Sequence, residues 1–356
     1  MSLVVLFIGS VSAFALTAEQ KVKYANIPGL QHLKRMKPNG DFEYALKMAT
    51  LAPDGVGWAA LIKELATPGI IKSTNGLITL DWYWGGTMGD DYDILSKLRN
   101  GQLQGGAFSG QGVVVACPEM AIMELPFLFN DYDEVEYVYS KIRPRIGQWF
   151  EKHGYHLTML TEQDFDQIYS TKFPVKTPDD FKRSRFLTWY GALEEKTLKN
   201  LTASPLPIRV SEIASSLRTG VADAFIAPAL WAVGTQMYTV MKYINPVHIR
   251  YSPAAGMIGI STWKLIPKEY QKAIDDYVFS VEKTYRQKVR EGNAKCVKAM
   301  YKYGMKEVKM TPAEIEVLRK NIIPIWDEFA AKGYYSKAEL EEVKGYLAEF
   351  RSKNKK

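Results

Sequence analysis

An alternation of short apolar strands with amphipathic helices is the feature that most constrains how this chain folds. Residues 42–49 alternate as a strand does, and turn residues at Pro53-Asp54-Gly55 follow. A second strand covers residues 77–84, and Asp90 and Asp91 open a helix, where acidic side chains suit the positive end of the helix dipole. This rhythm predicts βαβ units and a mostly parallel sheet, so the fold class is α/β.

The second half of the chain continues this rhythm and then changes to helices alone. Apolar spacing predicts a helix over residues 133–153, a strand over 155–169, a helix from Thr177 and a strand over 186–189. Pro267 then opens one long helix that ends near Gly304. Capping boxes predict two further helices, one starting at Thr311 and one at Ser336.

The amino-terminal residues predict export. An apolar run from Leu3 to Leu16 precedes small residues of the kind found at cleavage sites, so residues 1–18 read as a signal peptide. No Lys or Arg precedes the run, and an uncleaved anchor or a start further upstream is the alternative. Residues 19–40 then read as an extension, with the ordered part beginning at Phe42. We therefore expect a soluble periplasmic protein.

Charge and cysteine content exclude several functions. The net charge is +7, but basic and acidic residues are interspersed, and the one dense basic run is the tail from Arg351 to Lys356, so nucleic-acid binding is not expected. Cys117 and Cys296 lie too far apart in sequence for a paired-thiol zinc motif. They are either two free thiols or one disulfide, and we expect no metal and no cofactor.

No pattern of catalytic residues stands out. The four histidines have no partner at ligand or triad spacing, and Ser109 lacks the flanking glycines of a nucleophile elbow. Asp90 and Asp91 are explained by helix capping. Glu162, Asp164 and Asp166 lie two apart, and paired carboxylates keep a periplasmic hydrolase open as an alternative. We expect a protein that is not an enzyme.

Aromatic residues at strand ends are the positive signal. Ligands of open α/β sheets bind beyond the carboxyl ends of strands, where aromatic side chains form pocket walls. Trp84 ends the second strand, Trp189 ends another, and Trp231 follows Pro228. With Phe108 in the glycine-rich stretch and Trp58 on the first helix, these residues are the predicted walls of a ligand pocket.

Five motifs, in this order, resemble the DctP family, the periplasmic solute-binding proteins of TRAP transporters. They cover the chain from about Tyr44 to about Lys320. The motifs are Lys47-Met48-Ala49-Thr50-Leu51-Ala52-Pro53, Leu98-Arg99-Asn100-Gly101-Gln102-Leu103-Gln104-Gly105, Glu124-Leu125-Pro126-Phe127-Leu128-Phe129, Lys176-Thr177-Pro178-Asp179-Asp180-Phe181-Lys182 and Ser216-Leu217-Arg218-Thr219-Gly220-Val221-Ala222-Asp223-Ala224.

The resemblance implies a two-lobed periplasmic binding fold of the type II kind, with crossing strands, a long hinge-spanning helix and closure around a ligand. Residues 41–129 and 248–305 would form lobe I, residues 130–247 lobe II, and residues 306–356 helices packing across both. The implied partners are TRAP membrane permease subunits, with a repeat-containing periplasmic lipoprotein as a further candidate.

The chain departs from the family where organic acids are held. Members that carry acids usually place an Arg in the strand after the Thr-Pro-Asp-Asp helix start, where its guanidinium grips a carboxylate. Leu187 occupies that position, with Arg185 two residues earlier, and Ile226 replaces a usual polar residue. Burying a carboxylate without a cation is costly, so we predict an apolar or aromatic ligand, with Gln163 orienting a polar group. The alternative is an organic-acid binder that uses Arg185.

Overall fold

The computed structural model describes residues 15–188, 191–209 and 212–354. Within these residues ten strands form one mixed sheet. The strands are β1 (Lys34–Met36), β2 (Phe42–Thr50), β3 (Ile78–Tyr83), β4 (Gly105–Phe108), β5 (Tyr155–Ser170), β6 (Arg185–Thr188), β7 (Ser204–Pro207), β8 (Ala224–Ala227), β9 (Tyr243–Gly259) and β10 (Lys306–Glu307).

Fifteen α-helices lie in the described part of the chain. They are α1 (Ala18–Tyr24), α2 (Gly57–Leu61), α3 (Thr67–Ser73), α4 (Asp91–Arg99), α5 (Gly110–Ala116), α6 (Tyr132–Lys152), α7 (Pro178–Arg183), α8 (Ala192–Asn200), α9 (Ile213–Arg218), α10 (Ala229–Gly234), α11 (Ile260–Trp263), α12 (Lys268–Lys302), α13 (Pro312–Ile322), α14 (Pro324–Ala331) and α15 (Lys337–Lys353). A π-helical segment, Ile62–Ala66, joins α2 to α3, and a 3₁₀ turn, Pro118–Glu124, follows α5.

The sheet runs in the order β1-β2-β4-β9-β5-β8-β6-β7, with β3 beside β2 and β10 beside β9. Parallel pairing holds on its flanks, between β2 and its neighbours β3 and β4 and between β6 and its neighbours β7 and β8. At the centre β5 and β9 pair antiparallel over most of their length. The prediction of a mostly parallel sheet is therefore wrong at the centre, because the long strands cross between the lobes in opposite directions.

Most predicted elements are confirmed, but the amino-terminal boundary is not. Helix α1 has a capping box at Thr17, and β1 pairs antiparallel with β2, so order begins well before Phe42. Leu16 is buried in the same apolar cluster as Tyr24. Residues 1–14 lie outside the described residues, and the signal peptide stays a prediction. None of the described helices is long and apolar enough to cross a membrane.

Helix α12 contacts both halves of the molecule, as expected of a hinge-spanning helix. Near its start the Tyr277 hydroxyl donates to the Leu65 carbonyl at 2.7 Å, and further along the Asn293 side chain accepts the Leu230 N–H at 2.8 Å. The carboxy-terminal helices pack on α6 and α8. Cys117 and Cys296 are free thiols.

Replacing Gly106 with alanine is expected to destabilise the fold. A Cβ atom on Gly106 would lie 2.6 Å from the Ala49 carbonyl oxygen, and that oxygen is held by strand pairing and cannot swing aside. The cost of such overpacking is ~1–3 kcal/mol in the free energy of unfolding, measured by urea denaturation. Gly345→Ala is the control, because that helical glycine has no neighbour within 4 Å of its Cβ position. It should be neutral or stabilising. Equal losses in both variants would contradict the argument.

Candidate functional site

A cavity of about 160 Å³ lies between the two flanks of the sheet. Residues of β5 and β9 form its floor, and its walls come from the segments that follow β2, β4, β7 and β8. Tyr285 of α12 closes one side. The site therefore sits at the ends of strands from both halves, which is where an α/β sheet binds ligands. Its volume resembles that of an engineered cavity of ~150 Å³ that holds benzene, so it accommodates about one ring.

Four predicted wall residues meet at this cavity: Trp58, Phe108, Ile226 and Trp231. Phe108 and Ile226 are almost fully buried and form the back of the wall. The Trp231 ring packs edge-on against Phe225, with 5.3 Å between ring centroids. Further apolar side chains complete the surface: Leu51, Ile62, Ala107, Ile208, Ala254 and Ala255. The structure thus brings these four predicted residues together in a largely apolar lining, and their contact with a ligand stays a prediction.

Gln163 lies in the cavity lining with its amide orientation fixed. Its Oε1 accepts hydrogen bonds from the Gly110 N–H and from the Ser252 hydroxyl, both at 3.1 Å. The indole nitrogen of Trp58 is buried and has no hydrogen-bond partner among the described residues. A buried donor without an acceptor is costly, so an acceptor atom on a bound molecule would satisfy it.

Two other predicted residues, Trp84 and Leu187, are not part of the cavity lining, and this corrects the sequence interpretation. Trp84 stacks on Trp82 outside the lining, with ring centroids 5.0 Å apart. Leu187 is fully buried in the apolar cluster that contains Phe225, because its side chain points to the core side of β6. Trp189 lies outside the described residues.

Arg185, the predicted alternative clamp, also faces away from the cavity. Its Nε donates to the Asp223 carboxylate at 3.2 Å, and its side chain is 46% exposed. The lining residues do not include it. A carboxylate ligand in this cavity would need another cation.

Arg209 and Arg250 are the two cations that line the cavity, and neither was found from the sequence. Arg209 is exposed and follows β7. Arg250, whose side chain is 13% exposed, lies on β9 opposite Asp166 of β5 in the strand register. No motif marks either residue, and the pairing with Asp166 depends on a register that only the folded sheet defines.

Arg250 is surrounded by carboxylates. Its Nε donates to Asp166 at 2.8 Å, and one of its terminal nitrogens donates to Glu194 at 3.1 Å. A third carboxylate, that of Glu124, lies 3.9 Å from Nη1. We call these four residues the Arg250 cluster. One buried cation therefore faces three acidic groups, and the cluster carries more negative than positive charge when all are ionised.

Burial, together with the charges around it, shifts the protonation of the cluster. Burial raises the pKa of Glu124 to about 7, although the charge of Arg250 opposes the shift. Burial likewise raises the pKa of Asp166 against the pull of Arg250. For Arg250, burial favours loss of the proton, but Asp166 and the two glutamates outweigh it and raise the pKa further. The cation is therefore permanent and the Glu124 carboxyl titrates near neutrality.

Glu124→Gln is expected to remove part of the pH dependence of stability. The folded pKa of Glu124 is about 7 against an ordinary 4.5, so the folded state binds more protons and the free energy of unfolding falls as pH rises between these values. The drop is on the order of 3 kcal/mol. Urea denaturation at pH 5 and pH 8 should show that the free energy of unfolding of the variant, relative to that of the natural protein, is higher at pH 8 than at pH 5. Parallel curves would contradict the shifted carboxyl.

The acidic pair at the start of α4 also reaches the cavity. Asp90 caps the helix by accepting the Asp93 N–H at 3.2 Å, as predicted. Burial raises the pKa of Asp91 to about 6. The Ser109 hydroxyl donates to Asp91 and accepts the Gly112 N–H, so Ser109 acts as a helix cap. Acidic groups on the lining therefore outnumber the two arginines.

The chain matches one family model, described as bacterial extracellular solute-binding protein, family 7 (DctP), over residues 63–333. An uncharacterized protein of Haemophilus influenzae is 30% identical over 211 residues, which are 59% of this chain and 64% of that protein. The C4-dicarboxylate-binding periplasmic protein DctP of Rhodobacter capsulatus is 24% identical over 287 residues, which are 79% of this chain and 83% of that protein.

A solved structure shares the fold. It is a TRAP periplasmic solute-binding protein from Haemophilus influenzae with bound L-gulonate, at a TM-score of 0.79 and 23% identity. The match covers 85% of this chain and 99% of that structure. The two-lobed α/β fold expected from the sequence is confirmed.

Proposed function

Because the chain belongs to family 7 of the bacterial extracellular solute-binding proteins, the DctP family, we propose that it captures a small apolar or aromatic molecule in the cavity and delivers it to the permease of a TRAP-type transporter. The family is one of solute-binding proteins, the relative from Rhodobacter capsulatus is a binding protein, and the chain is not an enzyme. Closure would bring lobe II (residues 130–247) against lobe I (residues 41–129 and 248–305), with helices of residues 306–356 across both. Binding of a repeat-containing lipoprotein stays a prediction.

The ion pairs of Arg250 are the main support for an uncharged ligand. It is the buried cation of the cavity, yet Asp166 and Glu194 already occupy its guanidinium. A ligand carboxylate there would compete with these two groups and would be repelled by them. The wall around Trp58 and Trp231 instead offers apolar surface, which an uncharged ring or chain buries at ~25 cal/mol per Å².

A second candidate ligand is a small carboxylate bound by Arg209. Arg209 is an exposed residue of the cavity lining, and its side chain forms no ion pair with another described residue. The matched protein from Rhodobacter capsulatus is named for C4-dicarboxylates, and the matched solved structure from Haemophilus influenzae has bound L-gulonate, so both ligands are acids. In this case Arg209 would take the role predicted for Arg185.

Matched aromatic probes separate the two ligand classes. Benzyl alcohol and benzoate share a ring and differ in charge, and isothermal titration measures the affinity of each. The proposal expects the alcohol to bind the more tightly of the two. Preferential binding of benzoate, lost in Arg209→Gln and kept in Arg185→Gln, would establish the second candidate and overturn the first.

A further inference from the structure

Three side chains of the types that bind transition metals converge outside the cavity lining. Cys117 ends α5, Glu119 lies in the 3₁₀ turn that follows, and His153 caps the end of α6. One potential ligand atom from each residue lies within 4.8 Å of the others. The fold brings them together from two separate segments, since His153 is 34 residues from Glu119.

Hydrogen bonds to the Glu119 carboxylate connect the side chains of this group. The His153 ring nitrogen Nε2 lies 2.7 Å from Oε2 of Glu119, and the Cys117 thiol donates to the same oxygen at 3.7 Å. Lys152 donates to the other oxygen at 3.0 Å. Burial raises the pKa of Cys117, and the Glu119 carboxylate raises it further, so the thiol is neutral as the structure stands.

We propose that Cys117, Glu119 and His153 form a binding site for a borderline divalent cation of the Zn²⁺ class. A thiolate, an imidazole and a carboxylate are ligands that zinc accepts, and three protein ligands with a water in the fourth position make a common open site. At zinc's bond lengths, tetrahedral ligand atoms lie roughly 3.3–3.6 Å apart. The ligand atoms of Cys117, Glu119 and His153 would reach these separations if each moved by about an ångström.

Charge and access also fit a cation. Binding releases the Cys117 proton to solvent, so thiolate and carboxylate together balance the two positive charges of the ion. Nε2 of His153 must be unprotonated to ligate, with the ring hydrogen on Nδ1. His153 is 29% exposed and Lys152 is 69% exposed, so the ion enters from their side while Lys152 swings into water.

Zinc binding to the purified chain, free of any histidine tag and stripped with a chelator, tests the site. Equilibrium dialysis with metal analysis should show one Zn²⁺ per chain. Loss of one ligand should weaken binding at least ~100-fold in Cys117→Ser and in His153→Gln, because even the removal of groups behind the ligands costs 10–100-fold. Co²⁺ should give a thiolate charge-transfer absorption band that Cys117→Ser lacks.

Two control variants remove a thiol and a histidine elsewhere: Cys296→Ser and His32→Gln, the latter at an exposed residue. Both should keep full binding. Circular dichroism without metal establishes that each variant is folded. A folded chain that binds no stoichiometric Zn²⁺, or that binds it equally well as Cys117→Ser, would overturn the proposal. The transport function is unaffected by either result.

Discussion

Arg250→Met is expected to lower the free energy of unfolding by ~3–5 kcal/mol, the usual cost of breaking a buried ion pair from one side. Arg250 is the one cation of its cluster, and its removal leaves Asp166, Glu194 and Glu124 buried together without a counter-charge. Methionine fills much of the same volume, so the loss is electrostatic rather than a cavity effect. Urea denaturation at pH 7 measures it.

Arg185→Met is the matched control for this prediction. The same substitution there breaks an ion pair with Asp223 whose arginine is 46% exposed, and such pairs contribute ~0–1 kcal/mol. The Arg250 variant should also recover stability as pH falls, because its three carboxyls then bind protons and lose their mutual repulsion. Similar costs for both variants would contradict the account of the Arg250 cluster.

Trp231→Ala is expected to weaken ligand binding by ~10–100-fold, since a tryptophan face contributes roughly 1.5–3 kcal/mol when a ligand covers it. Isothermal titration with the tighter-binding aromatic probe measures this change. The loss should appear in affinity with the melting temperature of the free protein nearly unchanged, because Trp231 is only partly buried before a ligand arrives.

Trp84→Ala provides the control for a generic loss of tryptophan. Trp84 is also partly buried and stacks on Trp82, but it does not line the cavity. Its replacement should leave affinity within about twofold, because no ligand contact is removed. If Trp84→Ala weakens binding as much as Trp231→Ala, the ligand lies elsewhere.

Periodicity and caps predicted most helices and strands because these signals are local. The long helix, the capping boxes at Thr311 and Ser336 and the crossing strand from Tyr155 all follow from residues a few positions apart. The antiparallel centre of the sheet does not follow from local signals. It depends on which distant strands become neighbours, and that choice is made by the packing of the whole domain.

Site residues could be predicted where the local sequence marks them. They could not be predicted where strand pairing determines which side chains become neighbours. Trp231 was predicted because it follows Pro228, Phe108 from its glycine-rich stretch, and Ile226 from the resemblance to the family. Arg250 meets Asp166 across 84 residues, in a strand pair whose register shifts at bulges, so no sequence spacing reveals it. Leu187 was predicted to face the ligand but is buried in the core. A four-residue strand is too short for its two faces to be told apart from sequence.

Mass spectrometry of the small molecule released from the protein, purified from its periplasmic fraction and gently denatured, tests the central claim most directly. The account predicts one bound molecule per chain with an apolar or aromatic body and no free carboxylate. Recovery of a sugar acid or a dicarboxylate in that stoichiometry would contradict it.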